Sequence, residues 1–338
     1  MVFPSRAAAA RLAPTSQQHT NSSEMTARIF IDGEAGTTGL QIRARLEARA
    51  DLTLVSIPAE QRKDARARAD LMNSVDLVVL CLPDDAARDA LAMINNPAVR
   101  VIDSSTAHRV APGWVYGFPE LDAGQAVRIA QATRVANPGC FPTGAIALIR
   151  PLVAAGMVPA DFPLTVNAVS GYSGGGKSLI QRYEDPAAPD RLEAPFWLYG
   201  LGLEHKHVPE LQKFGLLKAR PLFMPSVGRF AQGMLVQIPL QLWALPGAPK
   251  VADIHAALAA AYHGQAFVKV VPLADSNALE RLPPEGLNGT NEMHLYCFGN
   301  ETRQQVVLSA LLDNLGKGAS GAAVQNLNLM LGLATATG

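Results

Sequence analysis

The chain lacks most of what would commit it to a charged, oxidising or membrane partner. Its three cysteines, Cys81, Cys140 and Cys297, are odd in number and widely spaced. That excludes a disulfide framework and a zinc knuckle, and it points to a reducing compartment, read here as the cytoplasm. Neither charge sign is in surplus, with 29 Lys and Arg against 29 Asp and Glu. Nothing therefore draws the chain to nucleic acid, and no charge block is offered to a membrane surface. No apolar run approaches the ~20 residues of a membrane span. Past residue 25 there is no internal repeat and no low-complexity tract. What is present is apolar: 49% of 338 residues are hydrophobic and 17% charged, enough for a sizeable buried core and for two domains.

The first 24 residues differ from the rest. Arg6 and Arg11 stand among Ser, Thr and Ala with no acid before Glu24, a composition like that of a transit leader but without the apolar stretch of a secretory signal. Residues 1–25 are expected to be a disordered tail, or residues 1–24 to precede a true start at Met25.

Regular patterning begins at Arg28. An apolar run at 28–32 leads into Gly33-Glu34-Ala35-Gly36-Thr37-Thr38-Gly39 and a helical pattern to about Arg49; strand patterns follow at 52–57, 75–82 and 99–103, with a helix at 84–95. Strands alternating with helices predict an α/β chain with a Rossmann-type, doubly wound nucleotide-binding domain over 26–139. Its glycine turn lies between the first strand and first helix, where backbone amides can hold a pyrophosphate. Gly33, Gly36, Thr37, Thr38 and Gly39 are the candidate contacts. At the end of the second strand, where NAD sites usually carry an acid for the ribose 2′-OH, stands Ser56, with Arg62 and Lys63 soon after. A hydroxyl and two cations suit a 2′-phosphate, so NADPH/NADP is the expected cofactor, with Glu60 as the contrary signal. From 140 to 313 strand patterns at 164–170, 233–242, 267–272 and 292–298 surround an Ala-rich helix at 251–263. They predict an α+β catalytic domain with a mixed sheet. Residues 305–333 read as helical, and the segment from about 314 to 338 is expected to complete the nucleotide domain.

The candidate chemistry centres on Asn137-Pro138-Gly139-Cys140-Phe141-Pro142-Thr143-Gly144. Pro142 suits a first helical position, which sets Cys140 just before a helix N-terminus, where free amides and the dipole lower a thiol pKa and favour a nucleophile. A small buried core cysteine is the alternative. Two of the seven histidines fall in Glu204-His205-Lys206-His207-Val208-Pro209-Glu210, on the approach to a second helix N-terminus that keeps the rings neutral. That suits general acid–base work or a structural pair. His205, His207 and Glu210 also have the composition of a zinc set, but no thiolate pair or further histidine accompanies them, so no metal is expected. Residues 171–178, Gly-Tyr-Ser-Gly-Gly-Gly-Lys-Ser, satisfy G-x-x-x-x-G-K-[ST]. As a nucleotide-hydrolase loop they would need a later apolar strand ending in Asp, and the one candidate, 306–313, reads as helix. The loop is read instead as placing its amides and Ser173 around a phosphate.

Taken in order, the glycine turn, Asp103-Ser104-Ser105-Thr106-Ala107-His108-Arg109, the Pro-Gly-Cys segment, His205-Lys206-His207-Val208-Pro209-Glu210 and Asp313-Asn314-Leu315-Gly316-Lys317-Gly318-Ala319-Ser320-Gly321 resemble the N-acetyl-gamma-glutamyl-phosphate reductase family in its shorter subtype, over about residues 27–338. That family is related to the aspartate-semialdehyde and glyceraldehyde-phosphate dehydrogenases. The resemblance implies NADPH-dependent reduction of an acyl phosphate to the semialdehyde in arginine synthesis, through a thioacyl-enzyme on Cys140 with His205 as acid–base. It also implies a homo-oligomer, dimer or tetramer. Arg109, Ser173 and Lys177 are candidates for the substrate phosphate or carboxylate. Asn137, His207 and Glu210 join the substrate set, and Ser104 and Asn314 join Ser56 and Arg62 at the cofactor. Aspartyl phosphate is the alternative substrate.

Overall fold

A computed structural model describes residues 26–62 and 64–336; the expectations for residues 1–25 and for Lys63 lie outside them. The first sheet is built from β1 (Ala27–Asp32), α1 (Thr37–Leu46), β2 (Leu52–Val55), α2 (Ala65–Met72), β3 (Leu77–Leu80), α3 (Asp84–Ala92), β4 (Arg100–Asp103), β5 (Val115–Tyr116), α4 (Gln125–Gln131) and β6 (Arg134–Ala136). Its strand order is β2-β1-β3-β4-β6-β5, with every pairing parallel. Such a sheet must be covered on both faces, and the side chains alternate accordingly. Ile29, Ile31, Leu77, Val79 and Ile102 face one core, while Phe30, Val78, Leu80 and Val101 face the other.

The second sheet follows α5 (Cys140–Ala154). It contains β7 (Thr165–Gly171), β8 (Phe196–Leu198), β9 (Leu222–Gly228), β10 (Met234–Gln241), β11 (Val268–Val270), β12 (Met293–Asn300) and β13 (Gln305–Leu312), interspersed with α6 (Gly176–Glu184), α7 (Val208–Phe214), α8 (Val251–Ala261) and α9 (Leu273–Asn277). The order is β11-β12-β13-β10-β7-β9-β8, antiparallel except for the pairs β11–β12 and β7–β9. One face packs on α5 and α8 in the largest core. The apolar run of α5 fits closely enough that a Cβ on Gly144 would come within 2.9 Å of Val236 Cγ2.

One expectation fails here. Residues 305–312 form strand β13, paired in register with both β10 and β12, and only the stretch after it turns into a π-helical turn (Gly316–Ser320) and α10 (Gly321–Met330). Val306, Leu308, Ala310 and Leu312 fill the large core while Leu311 packs into a smaller one on the opposite face. Burial on both faces erases the period-two alternation that would have marked a strand. α10 then packs against α1, α4 and β4, its Ala323, Val324, Leu327 and Met330 completing a core of the first sheet.

Candidate active site

The turn after β6 is shaped from beneath. Gly139 N donates to Glu210 Oε1 at 2.8 Å, and Tyr116 Oη donates to the same oxygen at 2.6 Å. Arg109 donates from Nε to the Asn137 carbonyl at 2.9 Å, from Nη1 to Glu210 Oε2 at 3.2 Å and from Nη2 to the Ser104 carbonyl at 3.1 Å. A Cβ on Gly139 would meet Arg109 Nη1 at 2.6 Å and His207 Nε2 at 2.7 Å, so a larger residue would push both side chains off their partners. The helix begins two residues before Pro142, placing Cys140 in the first turn of α5 with Gly139 as its cap. From the far side Gly318 of the π-helical turn backs the cysteine; a Cβ there would lie 2.9 Å from Cys140 Cβ.

Cys140 opens into a cavity of about 500 Å³ whose wall includes Arg109, Asn137, Ser173, His205, His207 and Asn314. Its far end is walled by Thr37, Thr38, Ser104 and Gly176, which also line a second cavity of about 370 Å³. Leu82 belongs to both that cavity and a third, of about 250 Å³, bounded by Gly33, Glu34, Ile57 and Arg62. The three lie in series along the carboxyl ends of the parallel strands, where dinucleotides bind in such sheets. The glycine turn is tight enough for that use: Gly33 has φ +88°, and a Cβ on it would strike the Cys81 carbonyl at 2.4 Å. Thr37 Oγ1, at the start of α1, is buried without a hydrogen-bond partner among the described residues. An unsatisfied hydroxyl at a helix N-terminus beside such a groove fits a pyrophosphate-bearing cofactor.

His205 is held by rings, with Tyr199, Phe223 and Phe141 edge-on at centroid distances of 5.6, 5.1 and 6.4 Å. His207 N donates to His205 Nδ1 at 3.1 Å, so the neutral ring carries its proton on Nε2 and offers a donor. Burial, helped by Lys206 and Arg109, lowers the His205 pKa to about 4 and takes His207 well below the usual range. The expectation of neutral rings agrees with this, but the expectation for the thiol does not. Burial pushes Cys140 up to about 11, although Arg109 and the amide of Phe141 pull the other way. Desolvating a thiolate outweighs one guanidinium and a helix dipole here. Cys81 and Cys297 are pushed further, to about 12, by the same cause.

The histidines give a testable pH dependence. Unfolded histidines take up protons near pH 6.5, and the folded chain resists until about pH 4 at His205. The unfolded state therefore binds more protons between these values, and stability is complete above 6.5 and falls as pH drops toward 4. Thermal unfolding is expected at clearly lower temperature at pH 5 than at pH 7.5, with a shallower slope in His207→Asn. Equal melting of wild type at the two pH values would contradict the buried neutral pair.

Two sequence-based placements, those of Glu210 and Lys177, need correction. Glu210 is buried beneath the Cys140 turn and consumed by Gly139, Tyr116 and Arg109, so it shapes the turn and does not line the cavity. Lys177 is exposed and borders the second cavity, beside the glycine turn, instead of the thiol's cavity. Asn314 has its oxygen bound to Gly233 N at 2.8 Å and donates to Ser173 Oγ at 3.0 Å, tying the glycine loop to β10. Asn137 is held by Ala319 and Asn326. Residues 306–312 are a strand after all, but the carboxylate of Asp313 accepts from Gln232, Gly289 and Leu315. It is spent within the protein, which removes the metal-holding acid a nucleotide-hydrolase reading requires. Among the described residues no cluster of three His, Cys, Asp or Glu could hold a metal, and no helix is long and apolar enough to cross a membrane. Tyr116 and Tyr199 are not marked in the sequence, because nothing in their neighbourhoods shows which way their side chains turn.

Models of two domains match the chain: the semialdehyde dehydrogenase NAD binding domain at residues 50–129 and the semialdehyde dehydrogenase dimerisation domain at residues 140–314. N-acetyl-gamma-glutamyl-phosphate reductase 2 of Pseudomonas putida is 57% identical over 311 residues, 92% of this chain and 98% of its own length. N-acetyl-gamma-glutamyl-phosphate reductase of Brucella ovis is 59% identical over 309 residues, 91% of this chain and all of its own. Among solved structures, aspartate semialdehyde dehydrogenase II of Vibrio cholerae shares the fold with a TM-score of 0.70 at 14% identity, over 91% of this chain and 98% of that one. Aspartate semialdehyde dehydrogenase of Candida albicans, solved with NADP, does so with a TM-score of 0.63 at 15% identity, over 90% and 98%.

Proposed function

The chain belongs to the N-acetyl-gamma-glutamyl-phosphate reductase family, and from that premise we propose that it reduces N-acetyl-gamma-glutamyl phosphate to the semialdehyde with NADPH, releasing phosphate, on Cys140. The observation that carries the residue assignment is the meeting of Cys140, His205 and Arg109 in one cavity that continues into a groove beside the glycine turn.

Cys140 Sγ attacks the acyl carbon. The carbon–sulfur bond forms, the bond to the phosphate oxygen breaks, and the thiol proton leaves on the phosphate. With its thiol held up at about 11, Cys140 becomes nucleophilic as it meets this substrate instead of standing ready as an anion. NADPH, when bound, supplies the hydride that reduces the thioester carbon. The Nε2–H of His205 would hydrogen-bond the oxygen that gains charge and stabilise it as an oxyanion, since a neutral ring that gave up this proton would be left as an imidazolate. As the aldehyde forms, the oxyanion's electron pair re-forms the carbon–oxygen double bond, the carbon–sulfur bond breaks, and the sulfur is reprotonated from solvent. Arg109, with three of its five N–H groups bound to the protein, supplies positive charge for the phosphate, together with the amides of the loop at Ser173. Gly33, Gly36, Thr37, Thr38, Gly39 and Ser104 would hold the pyrophosphate end of the cofactor, Lys177 from across the groove, and Arg62 with Ser56 its 2′-phosphate.

The unit spanning 140–313 would also join copies of the chain. Phe196 and Leu198 on the edge strand β8, with Leu222 and Met224 on the adjoining β9, leave large apolar side chains exposed, a surface that suits a second copy. Light scattering at micromolar concentration should return a dimer or larger; a monomer would refute it. The free thiol at Cys140 suits a reducing, cytoplasmic setting.

Two measurements test the reaction. In the oxidative direction N-acetylglutamate semialdehyde is expected to turn over far faster than aspartate semialdehyde, and comparable rates would overturn the substrate assignment. His205→Asn should lower kcat by a factor on the order of 10²–10⁴, with His205→Gln, whose amide reaches nearer the Nε2 position, retaining more. Near wild-type rates in His205→Asn would remove His205 from the chemistry.

A further inference from the structure

Glu34 sits in the glycine turn, yet its carboxylate lies at the carboxyl end of β2. Arg43 Nη1 reaches Glu34 Oε2 at 2.7 Å and Arg62 Nη2 reaches Oε1 at 2.7 Å. Ser56 Oγ donates to Oε2 at 3.0 Å while accepting from Arg43 Nη1 at 2.6 Å. Two guanidinium groups and a hydroxyl thus converge on one anion, although Arg43 and Arg62 lie on different elements. Arg43 is further held from behind by Glu47, at 2.9 Å. Glu34 and Arg62 of this array line the third cavity, which Ile57, Leu82 and Ala86 make apolar and which suits a flat base. The other acid there, Asp32, is already paired with Arg68 at 2.6 Å. Arginine pairs of this kind match a phosphate monoester better than a carboxylate, which carries half the charge and fewer acceptor oxygens.

We propose that Glu34 is a tethered stand-in for the cofactor's 2′-phosphate: it occupies the site formed by Arg43, Arg62 and Ser56, and NADPH must displace it. This rests on the reading that NADPH binds along the glycine turn, and it adds Arg43 as a reader of the phosphate and Glu34 as the residue that sets cofactor discrimination. A carboxylate at this place does two things to that discrimination. It competes with the 2′-phosphate for both arginines, and it is itself an acceptor for a ribose 2′-OH, as acids at the end of the second strand are in NAD sites. Glu34 therefore narrows the preference for NADPH over NADH that the arginines alone would give.

The test is equilibrium binding without turnover, by calorimetry with 2′,5′-ADP and 5′-ADP and by NADPH and NADH fluorescence. Wild type is expected to favour the 2′-phosphorylated member of each pair by roughly tenfold, about 1.4 kcal/mol. Glu34→Gln, which keeps the shape and loses the charge, should bind 2′,5′-ADP and NADPH about tenfold tighter while 5′-ADP stays within twofold and NADH is unchanged or weaker. Arg43→Gln should lose at least tenfold for 2′,5′-ADP alone. Glu34→Ala is the second arm if the glutamine variant melts early. Unchanged or weaker 2′,5′-ADP binding in both Glu34 variants would make Glu34 a fixed clamp and overturn the inference while leaving the NADPH reading intact. Wild type that binds none of the four probes would instead defeat the NADPH reading, and the inference with it.

Discussion

Cys140→Ser is expected to fold, bind NADPH and lose turnover by at least roughly 10³-fold. Serine keeps the size and the first-turn position of α5 but not the chemistry. Burial that already lifts the Cys140 thiol to about 11 acts on a hydroxyl whose starting pKa is far higher, so no fraction of the anion is within reach near neutral pH. Incubating wild type with the acyl phosphate or the semialdehyde, without the completing co-substrate, should leave an acyl mass on Cys140 alone. Cys81 and Cys297 are held near 12, and neither lines the cavity that holds His205 and Arg109. Substantial activity in the serine variant, or acylation at either other cysteine, would overturn the assignment of the nucleophile.

Lys317→Met should be the most damaging change to stability. Lys317 is completely buried in the π-helical turn and donates to both oxygens of Glu120, at 2.8 and 2.9 Å, and to Gln325 at 2.7 Å. Its ammonium also lies over the rings of Phe118 and Phe267, at 5.6 and 5.4 Å from their centroids. Removing one partner of a buried ion pair leaves the other charge unmatched and costs about 3–5 kcal/mol. The loss also reaches the active site, because the same turn carries Gly318 against Cys140 and Ala319 against Asn137. The double variant Lys317→Met with Glu120→Gln should recover part of the melting temperature, since it leaves no uncompensated charge. A double variant no better than Lys317→Met, or a single variant that melts with wild type, would show that the pair is not what holds the turn.

The sequence discloses local features more readily than directions. The Pro-Gly-Cys segment is legible because a turn and a helix start are both written in neighbouring residues, and the structure moves the helix start by only two positions. The parallel sheet is legible for the same reason, each strand being short, apolar and bounded. β13 is not, because Gln, Leu and Ala at 305–312 suit a helix locally and only the strands on either side impose the extended form. The places of Glu210 and Lys177 are not legible, because a charged side chain near a motif says nothing about the side on which it emerges. Glu34 and Arg43 show the converse. The acid sought at the end of β2 is present there in space, supplied by a residue 22 positions earlier than Ser56, its hydrogen-bond partner. Lys317 carried one signal, a charged residue among Gly, Ala and Ser in an otherwise apolar region, but its partner Glu120 is 197 positions away.

The packing of α10 onto the first sheet sets a timetable for synthesis. Ala323, Val324, Leu327 and Met330 close a core whose other walls, Ile29, Ile31, Leu77, Val79 and Ile102, are made near the start of the chain. At 5–20 residues per second, the stretch between Ala136 and Gly321 takes on the order of 10–40 s to emerge from the ribosome. Through that interval one face of a finished parallel sheet is covered only by α1 and α4, through Ile42, Leu46 and Ile129, and the part that α10 fills stays open. Nascent chains of this protein are therefore expected to hold chaperones until the last helix arrives, and a stop codon placed before Gly321 should yield aggregates instead of an isolated, working nucleotide-binding half.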